Sequence, residues 1–133
     1  FEQRVAWGDM DAFGHVNNVI YYRYIESARL YYLDHLKILQ QDVLTVIASN
    51  QCKYIRPVVY PDILKIGVRV EELRNSAMRM HYLIHSEAQQ MVVAEADAVI
   101  VCVDRVNMQK TLIPENVRAG IHKIEKTVQH ILD

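Results

Sequence analysis

The stretch of sequence that decides the fold is WGDMDAFGHVNN, residues 7–18, which leads directly into a helix-patterned segment, residues 19–36. Two of the four glycines of the chain, Gly8 and Gly14, lie in this stretch, where they permit tight turns or close backbone approach. The stretch places the carboxylate of Asp11 just before a helix N-terminus. Free backbone N–H groups and the helix dipole favour negative charge there, which suits an acyl-transfer site. An isolated aspartate before a helix is more often a cap or turn residue, so the surrounding motif has to decide between the two roles.

The segment that follows has the pattern of one long helix. Asn17 can cap this helix, because its side chain can accept hydrogen bonds from the N–H groups of the first turn. The apolar face recurs at helical spacing and consists of Ile20, Tyr21, Tyr24, Ile25, Ala28, Tyr31 and Tyr32. The opposite face is marked by Arg23, Glu26 and Arg29. The many tyrosines predict that a flat apolar layer, most simply a β-sheet, covers a broad part of the helix.

The rest of the chain predicts an α+β fold. Five strand-like stretches are residues 1–7, 43–55, 63–73, 77–87 and 91–103. No helical pattern separates the last four, and their short connections favour antiparallel hairpins. Pro114 then opens a C-terminal amphipathic helix, whose apolar stripe is Val117, Ile121, Ile124, Val128 and Ile131.

Length and composition narrow the class of protein. A chain of 133 residues fits one domain, residues 1–133. Lys and Arg total 15 against 16 for Asp and Glu, so no field of one sign favours nucleic acid or an anionic membrane. The longest apolar run, residues 98–103, is far too short for a membrane span. Cys52 and Cys102 lack any metal or redox spacing, and we expect buried free thiols in a reducing cytoplasm.

No metal site is expected. His81 and His85 have the spacing of a helical metal pair, but they fall on a predicted strand. Four residues of strand separate two side chains by roughly 13 Å, which one metal ion cannot bridge.

The order of elements resembles the hotdog-fold thioesterases, and most closely the acyl-CoA thioesterases that are like 4-hydroxybenzoyl-CoA thioesterase. The matching motifs are GDMD at residues 8–11, HVNN at 15–18, YYRYIESAR at 21–29, YIRPV at 54–58 and YPD at 60–62. The resemblance covers nearly the whole chain. It implies a long central helix wrapped by a curved antiparallel sheet of about five strands. It also implies a homodimer or a dimer of dimers, in which protomers pair their sheets edge to edge near the active sites.

The resemblance also implies the roles of the loop residues. In the resembled family the second aspartate of the motif is the catalytic carboxylate, which corresponds to Asp11. A backbone N–H at the start of the helix polarises the thioester carbonyl, which corresponds to Asn18. Asp11 would attack directly as a nucleophile or act as a general base on water, and Asp9 would serve the turn. His15 is a secondary candidate for orienting Asp11 or a water molecule, since histidine exchanges protons near neutrality.

One position departs from a related pattern. Plant acyl-carrier-protein thioesterases share the HVNN segment but usually carry an asparagine between the aspartate and the histidine. This chain has Phe13 there. An asparagine-assisted mechanism is therefore not expected.

Several other residues are candidates for binding substrate. Arg56 and Arg74 can meet the phosphates of coenzyme A, because a guanidinium binds phosphate bidentately. Asn75 and Ser76 lie in a turn where the family commonly places small polar residues beside the pantetheine arm. Tyr21 and Tyr24, near the start of the helix, are candidates to line the acyl pocket, and Asn17 is a further candidate at the helix start.

The predicted function is therefore hydrolysis of an acyl-CoA to a free carboxylic acid and coenzyme A, with water as the only co-substrate and no separate cofactor. Two alternatives stay open. One is a hydratase or dehydratase on the same fold, in which His15 and Asp11 would transfer protons at carbon. The other is a binding module that holds an acyl thioester without turnover. The acyl chain, and coenzyme A against acyl carrier protein as its carrier, are not decided by the sequence.

Overall fold

The computed structural model describes residues 1–132, apart from the side chain of Leu39. Its helices and strands, in chain order, are β1 (Glu2–Arg4), α1 (Asn18–His35), β2 (Val43–Tyr54), β3 (Ile63–Leu73), β4 (Ala77–Ser86), β5 (Met91–Asp104) and α2 (Glu115–Thr127). The strands form one antiparallel sheet in the order β1-β3-β4-β5-β2. This arrangement confirms the α+β hotdog fold, with a long central helix, five strands and a C-terminal helix.

The core lies between α1 and the curled sheet. The helix buries Tyr21, Ile25 and Ala28, which are at most 2% exposed. From the sheet, β4 buries side chains that include Met80 and Tyr82 in the same apolar cluster. A sheet therefore covers the tyrosine-rich face of α1, as the sequence predicted.

Two residues of α1 do not follow the predicted faces. Arg29 was predicted on the charged face, but it is only 6% exposed, and its Nη1 donates a hydrogen bond of 3.3 Å to the hydroxyl of Tyr82. Tyr31 was predicted on the apolar stripe but is 54% exposed. Its ring lies between those of Phe1 and His35, with centroid distances of 5.6 and 4.8 Å. Local contacts therefore allow Arg29 to be buried and Tyr31 to be exposed, although helical spacing predicted the opposite for each.

The first strand is shorter than predicted. It ends at Arg4, and residues Trp7–Asp9 form a 3-10 turn. The Asp9 N–H donates to the Ala6 carbonyl at 3.0 Å, and the Asp9 carboxylate accepts from the Ala6 N–H at 3.2 Å. These two contacts turn the chain before the alternating pattern ends, and they leave Trp7 72% exposed.

The C-terminal helix also ends earlier than its apolar stripe. Val117 and Ile121 are fully buried, but α2 ends at Thr127, and Val128 and Ile131 are 70% and 82% exposed. The chain folds back because the His130 N–H donates to the carbonyl oxygen of residue 125 at 2.9 Å. The prediction that the stripe continues to Ile131 is therefore wrong.

Both cysteines are free thiols. Cys102 is buried and Cys52 is partly buried. Burial raises the pKa of the Cys102 thiol, so it stays protonated and unreactive near neutral pH. Of the helices described, none is long and apolar enough to cross a membrane.

Candidate active site

The loop before α1 is closed by main-chain hydrogen bonds. Met10 and Val16 face each other in an isolated antiparallel bridge. Between them, the Asp11 N–H donates to the His15 carbonyl at 2.8 Å, and the Gly14 N–H donates to the Asp11 carbonyl at 3.0 Å. Gly14 has a φ of +80°, a conformation that favours glycine. The predicted turn therefore exists, and it holds the backbone of Asp11 from both sides.

Asn17 joins this loop to the helix. Its φ and ψ of −64° and 141° are extended, and its side-chain oxygen accepts from the Val19 N–H at 2.9 Å. Its own N–H donates to the Asp9 carbonyl at 3.1 Å. The side chain predicted to bind substrate is thus engaged in capping α1. Asn17 does not line the cavity described below.

The predicted catalytic groups each keep hydrogen-bonding capacity free. One carboxylate oxygen of Asp11, Oδ1, accepts from the Phe13 N–H at 2.9 Å, which fixes the side-chain direction. The other oxygen, Oδ2, has no hydrogen-bond partner among residues 1–132. The backbone N–H of Asn18, the first residue of α1, likewise has no acceptor within the described part of the chain. A carboxylate oxygen and a helix-terminal N–H are therefore both available to a ligand.

These groups share one cavity of about 570 Å³. Its lining consists of Asp11, Phe13, His15, Val16, Asn18, Tyr21, Tyr54, Ile55, Arg56 and Pro57. The volume lies in the usual range for small-molecule sites, and the lining combines apolar walls with a few polar groups. Five residues predicted from the sequence for the site, Asp11, His15, Asn18, Tyr21 and Arg56, therefore border the same space.

Tyr54 is a site residue that the sequence analysis did not single out. It is the last residue of β2, and its hydroxyl donates to the Asn18 carbonyl at 2.9 Å. Its ring meets that of Tyr21 edge-on, with centroids 4.9 Å apart. Desolvation raises the pKa of Tyr54, which keeps the hydroxyl protonated as a donor. Its place in the YIRPV motif was the only signal in the sequence.

Three predicted substrate-binding residues lie elsewhere in the same chain. Arg74, Asn75 and Ser76 form the turn after β3, which starts near the loop and runs for 11 residues, about 35 Å. Arg74 pairs with Glu72 at 2.7 Å, and the Asn75 carbonyl accepts from the Ile113 N–H at 3.0 Å. Ser76 is buried. One chain therefore does not bring this turn to the cavity.

Comparisons with known proteins agree with this architecture. The chain is 36% identical to the uncharacterised protein YsmA of Bacillus subtilis over 81 residues, which are 59% of this chain and 55% of that protein. It is 30% identical to the long-chain acyl-CoA thioesterase FadM of Escherichia coli, over 80% of this chain and 83% of that one. The crystal structure of a Thermus thermophilus thioesterase complexed with coenzyme A and zinc matches with a TM-score of 0.83, at 29% identity and 94% coverage of both chains.

A family model covers most of the chain. The model described as the thioesterase-like superfamily matches residues 5–121. This range contains the aspartate loop, the whole of α1 and the four long strands. The resemblance drawn from the GDMD and HVNN motifs is thereby confirmed, and the chain belongs to the thioesterase-like superfamily.

Proposed function

We propose that this protein is an acyl-CoA thioesterase that hydrolyses its substrate to a free carboxylic acid and coenzyme A. The observation that carries the proposal is that Asp11 and Asn18 line the same cavity, and that within residues 1–132 Asp11 keeps one carboxylate oxygen and Asn18 its N–H without a hydrogen bond. The names of the relatives support the substrate class. FadM is named a long-chain acyl-CoA thioesterase, and the Thermus enzyme was crystallised with coenzyme A.

In the proposed reaction, the thioester carbonyl oxygen faces the Asn18 N–H. Negative charge develops on that oxygen when the carbonyl carbon becomes tetrahedral, and the N–H and the helix dipole stabilise it. Asp11 either takes a proton from the attacking water or attacks the carbon itself to give a mixed anhydride, which water then hydrolyses. In both routes the carbon–sulfur bond breaks, the thiolate leaves and water supplies the oxygen of the acid. Water is the only co-substrate that either route needs.

Other lining residues receive supporting roles. Arg56 is exposed at the edge of the cavity, where its guanidinium is proposed to contact a phosphate of coenzyme A. Tyr21 and Tyr54 provide an aromatic wall for the acyl group. The imidazole of His15 has no hydrogen bond to any carboxylate of residues 1–132. This geometry supports hydrolysis over a hydratase, which needs a histidine paired with an acid.

The decisive experiment measures thiol release from short, medium, long and aromatic acyl-CoAs. We expect hydrolysis of at least one of them by the wild type and a large loss of kcat in Asp11→Asn. Asp34→Asn is the matched control, because Asp34 is an exposed aspartate near the other end of α1. Equal rates for Asp11→Asn and wild type would refute the role of Asp11. Ligand binding without any thiol release would instead favour a binding module.

We further propose that two copies associate through β2. This strand has 12 residues and pairs only with β5 among the described strands, so one edge is free to pair. Ile47 and Tyr54 on this strand are 43% and 39% exposed, and burial would stabilise a dimer. Light scattering after size exclusion should give twice the 15.5 kDa chain mass, and Ile47→Asp should lower it. The free thiols support a cytoplasmic location.

A further inference from the structure

Asp9, the first aspartate of the GDMD motif, is bound to the central helix at two points. Its carbonyl oxygen accepts from the Asn17 N–H at 3.1 Å, at the start of α1. Its carboxylate oxygen Oδ2 accepts from the hydroxyl of Tyr24, on the second turn of the same helix. The same oxygen also accepts from the Ala6 N–H at 3.2 Å. The hydrogen bonds of Asp9 thus connect the segment after β1, the loop and α1.

The Tyr24 end of the hydrogen bond to Asp9 is protected from solvent. Tyr24 is only 3% exposed, so water competes little for its hydroxyl. Burial, and then the hydrogen bond to Asp9, raise the pKa of Tyr24. The hydroxyl therefore remains a donor across the pH range in which the enzyme would work. A hydrogen bond between a buried hydroxyl and a carboxylate is charge-assisted and stronger than a neutral one.

The hydrogen bonds from Asn17 and Tyr24 to Asp9 are made close to the groups that would carry out the reaction. Asp11 follows Asp9 by two residues, and Asn18 follows Asn17 by one. Tyr24 lies six residues beyond Asn18, about 9 Å along a rigid helix. A shift of Asp9 relative to α1 would therefore move the Asp11 carboxylate relative to the Asn18 N–H. Asp9 does not line the cavity, and neither does Tyr24, which was predicted to line the acyl pocket. Neither residue therefore contacts a ligand there directly.

We propose that Asp9 and Tyr24 are positioning residues that set the distance between the Asp11 carboxylate and the Asn18 N–H. This inference rests on the proposed thioesterase function, which assigns the reaction to those two groups. The two aspartates of the motif then have separate tasks: Asp11 acts on the substrate, and Asp9 holds Asp11 against the helix. The positioning role of Asp9 requires an oxygen acceptor at Oδ2; the negative charge strengthens the hydrogen bond but does not determine where Asp9 lies.

That requirement separates two substitutions of the same residue. Asp9→Asn keeps an oxygen that can accept from Tyr24 and Ala6, whereas Asp9→Ala removes it. We expect Asp9→Ala and Tyr24→Phe to lose about 10- to 100-fold in kcat, the scale of a misplaced reacting group, with KM within about 2-fold of wild type. Asp9→Asn should keep most of kcat. The measurement is thiol release over a range of acyl-CoA concentrations.

Tyr32→Phe is the matched control. It also removes the hydroxyl of a buried tyrosine on α1, but that hydroxyl donates to Glu125, two turns further from the loop. Both tyrosine variants should melt at a lower temperature than wild type, and only Tyr24→Phe should lose kcat.

Three results would overturn the inference. The first is a wild-type kcat in folded Tyr24→Phe, and the second is an equal loss of kcat in Tyr24→Phe and Tyr32→Phe. The third is a kcat of Asp9→Asn as low as that of Asp9→Ala. If Tyr24→Phe does not fold, the two Asp9 variants decide. A wild type that hydrolyses no acyl-CoA refutes the proposed function instead, and that result is distinct from all three.

Discussion

Replacing Asn18 by proline tests the proposed oxyanion donor with little effect on the fold. Asn18 is the first residue of α1, a position where proline is favoured because the helix does not use that N–H. The residue before a proline must be extended, and Asn17 already has φ −64° and ψ 141°. The Asn18 N–H has no acceptor within residues 1–132, so Asn18→Pro breaks no internal hydrogen bond of the described chain.

The expected magnitude follows from this geometry. Loss of one oxyanion donor typically costs about 100- to 1000-fold in kcat, or about 2.7–4 kcal/mol of transition-state stabilisation. The stability cost should stay below about 1 kcal/mol, because the helix keeps its cap and all of its own hydrogen bonds. The assay is thiol release at saturating acyl-CoA, combined with a thermal melt of each variant.

Asn18→Ala is the control, since it removes the side chain and retains the N–H. It should keep nearly all of the activity. Similar melting temperatures together with similar kcat for Asn18→Pro and Asn18→Ala would refute the role of the Asn18 N–H. In that case the oxygen of the substrate would be stabilised by some other group in the cavity.

Three further predictions concern stability. Tyr54→Phe removes the hydrogen bond to the first carbonyl of α1, so the free energy of unfolding measured in urea should fall by about 1 kcal/mol. The pKa of Asp97 is lowered, because hydrogen bonds from His81 and Arg79 outweigh its partial burial. Asp97→Asn should therefore lower the free energy of unfolding by about 1 kcal/mol at pH 7, and by less as the pH falls below about 4. An equal loss at neutral and at acid pH would contradict this. Ile121→Ala should cost about 2–5 kcal/mol, and a cost below 1 would show that α2 is not packed as described.

The helix start was predictable because its signals are local. Asn17 caps α1 through an oxygen of its own side chain, and Gly14 supplies a left-handed turn a few residues away. The end of β1 was not predictable from alternation, because Trp7 fits a strand pattern as well as a turn. What decides between them is the bond between the Asp9 carboxylate and the Ala6 N–H, a contact that periodicity does not record.

Long-range contacts explain the other differences. Arg29 is buried because Tyr82, 53 residues later, accepts its hydrogen bond. The end of α2 depends on His130, whose Nδ1 lies 2.7 Å from the buried carboxylate of Glu125. Neither partner is visible in a local pattern of apolar residues. Apolar spacing therefore predicted that a helix exists, while side-chain partners decided where it ends and which residues it buries.

The residues of the candidate site were likewise predictable where they are close in sequence and not where the fold brings them together. Asp11 and Asn18 were predicted as neighbours because only six residues of one loop lie between them. Tyr54 was missed, since contact between the end of a strand and the start of a helix depends on how the sheet curls around that helix. Arg74 was grouped with the site because a guanidinium can bind phosphate, but the direction of β3 carries it to the other end of the sheet in the same chain.

The hydrogen bonds that close the loop between Met10 and Val16 join main-chain atoms, and this has a consequence for how the family diverges. Hydrogen bonds between backbone groups do not depend on which side chains the loop carries. Phe13 is 86% exposed and borders the cavity, and Ala12 beside it is exposed as well. Selection can therefore exchange these side chains, and with them the acyl groups that are accepted, while the loop keeps its shape. Sequence differences that change substrate preference between relatives should therefore accumulate at such positions, while the backbone conformation that presents Asp11 stays the same.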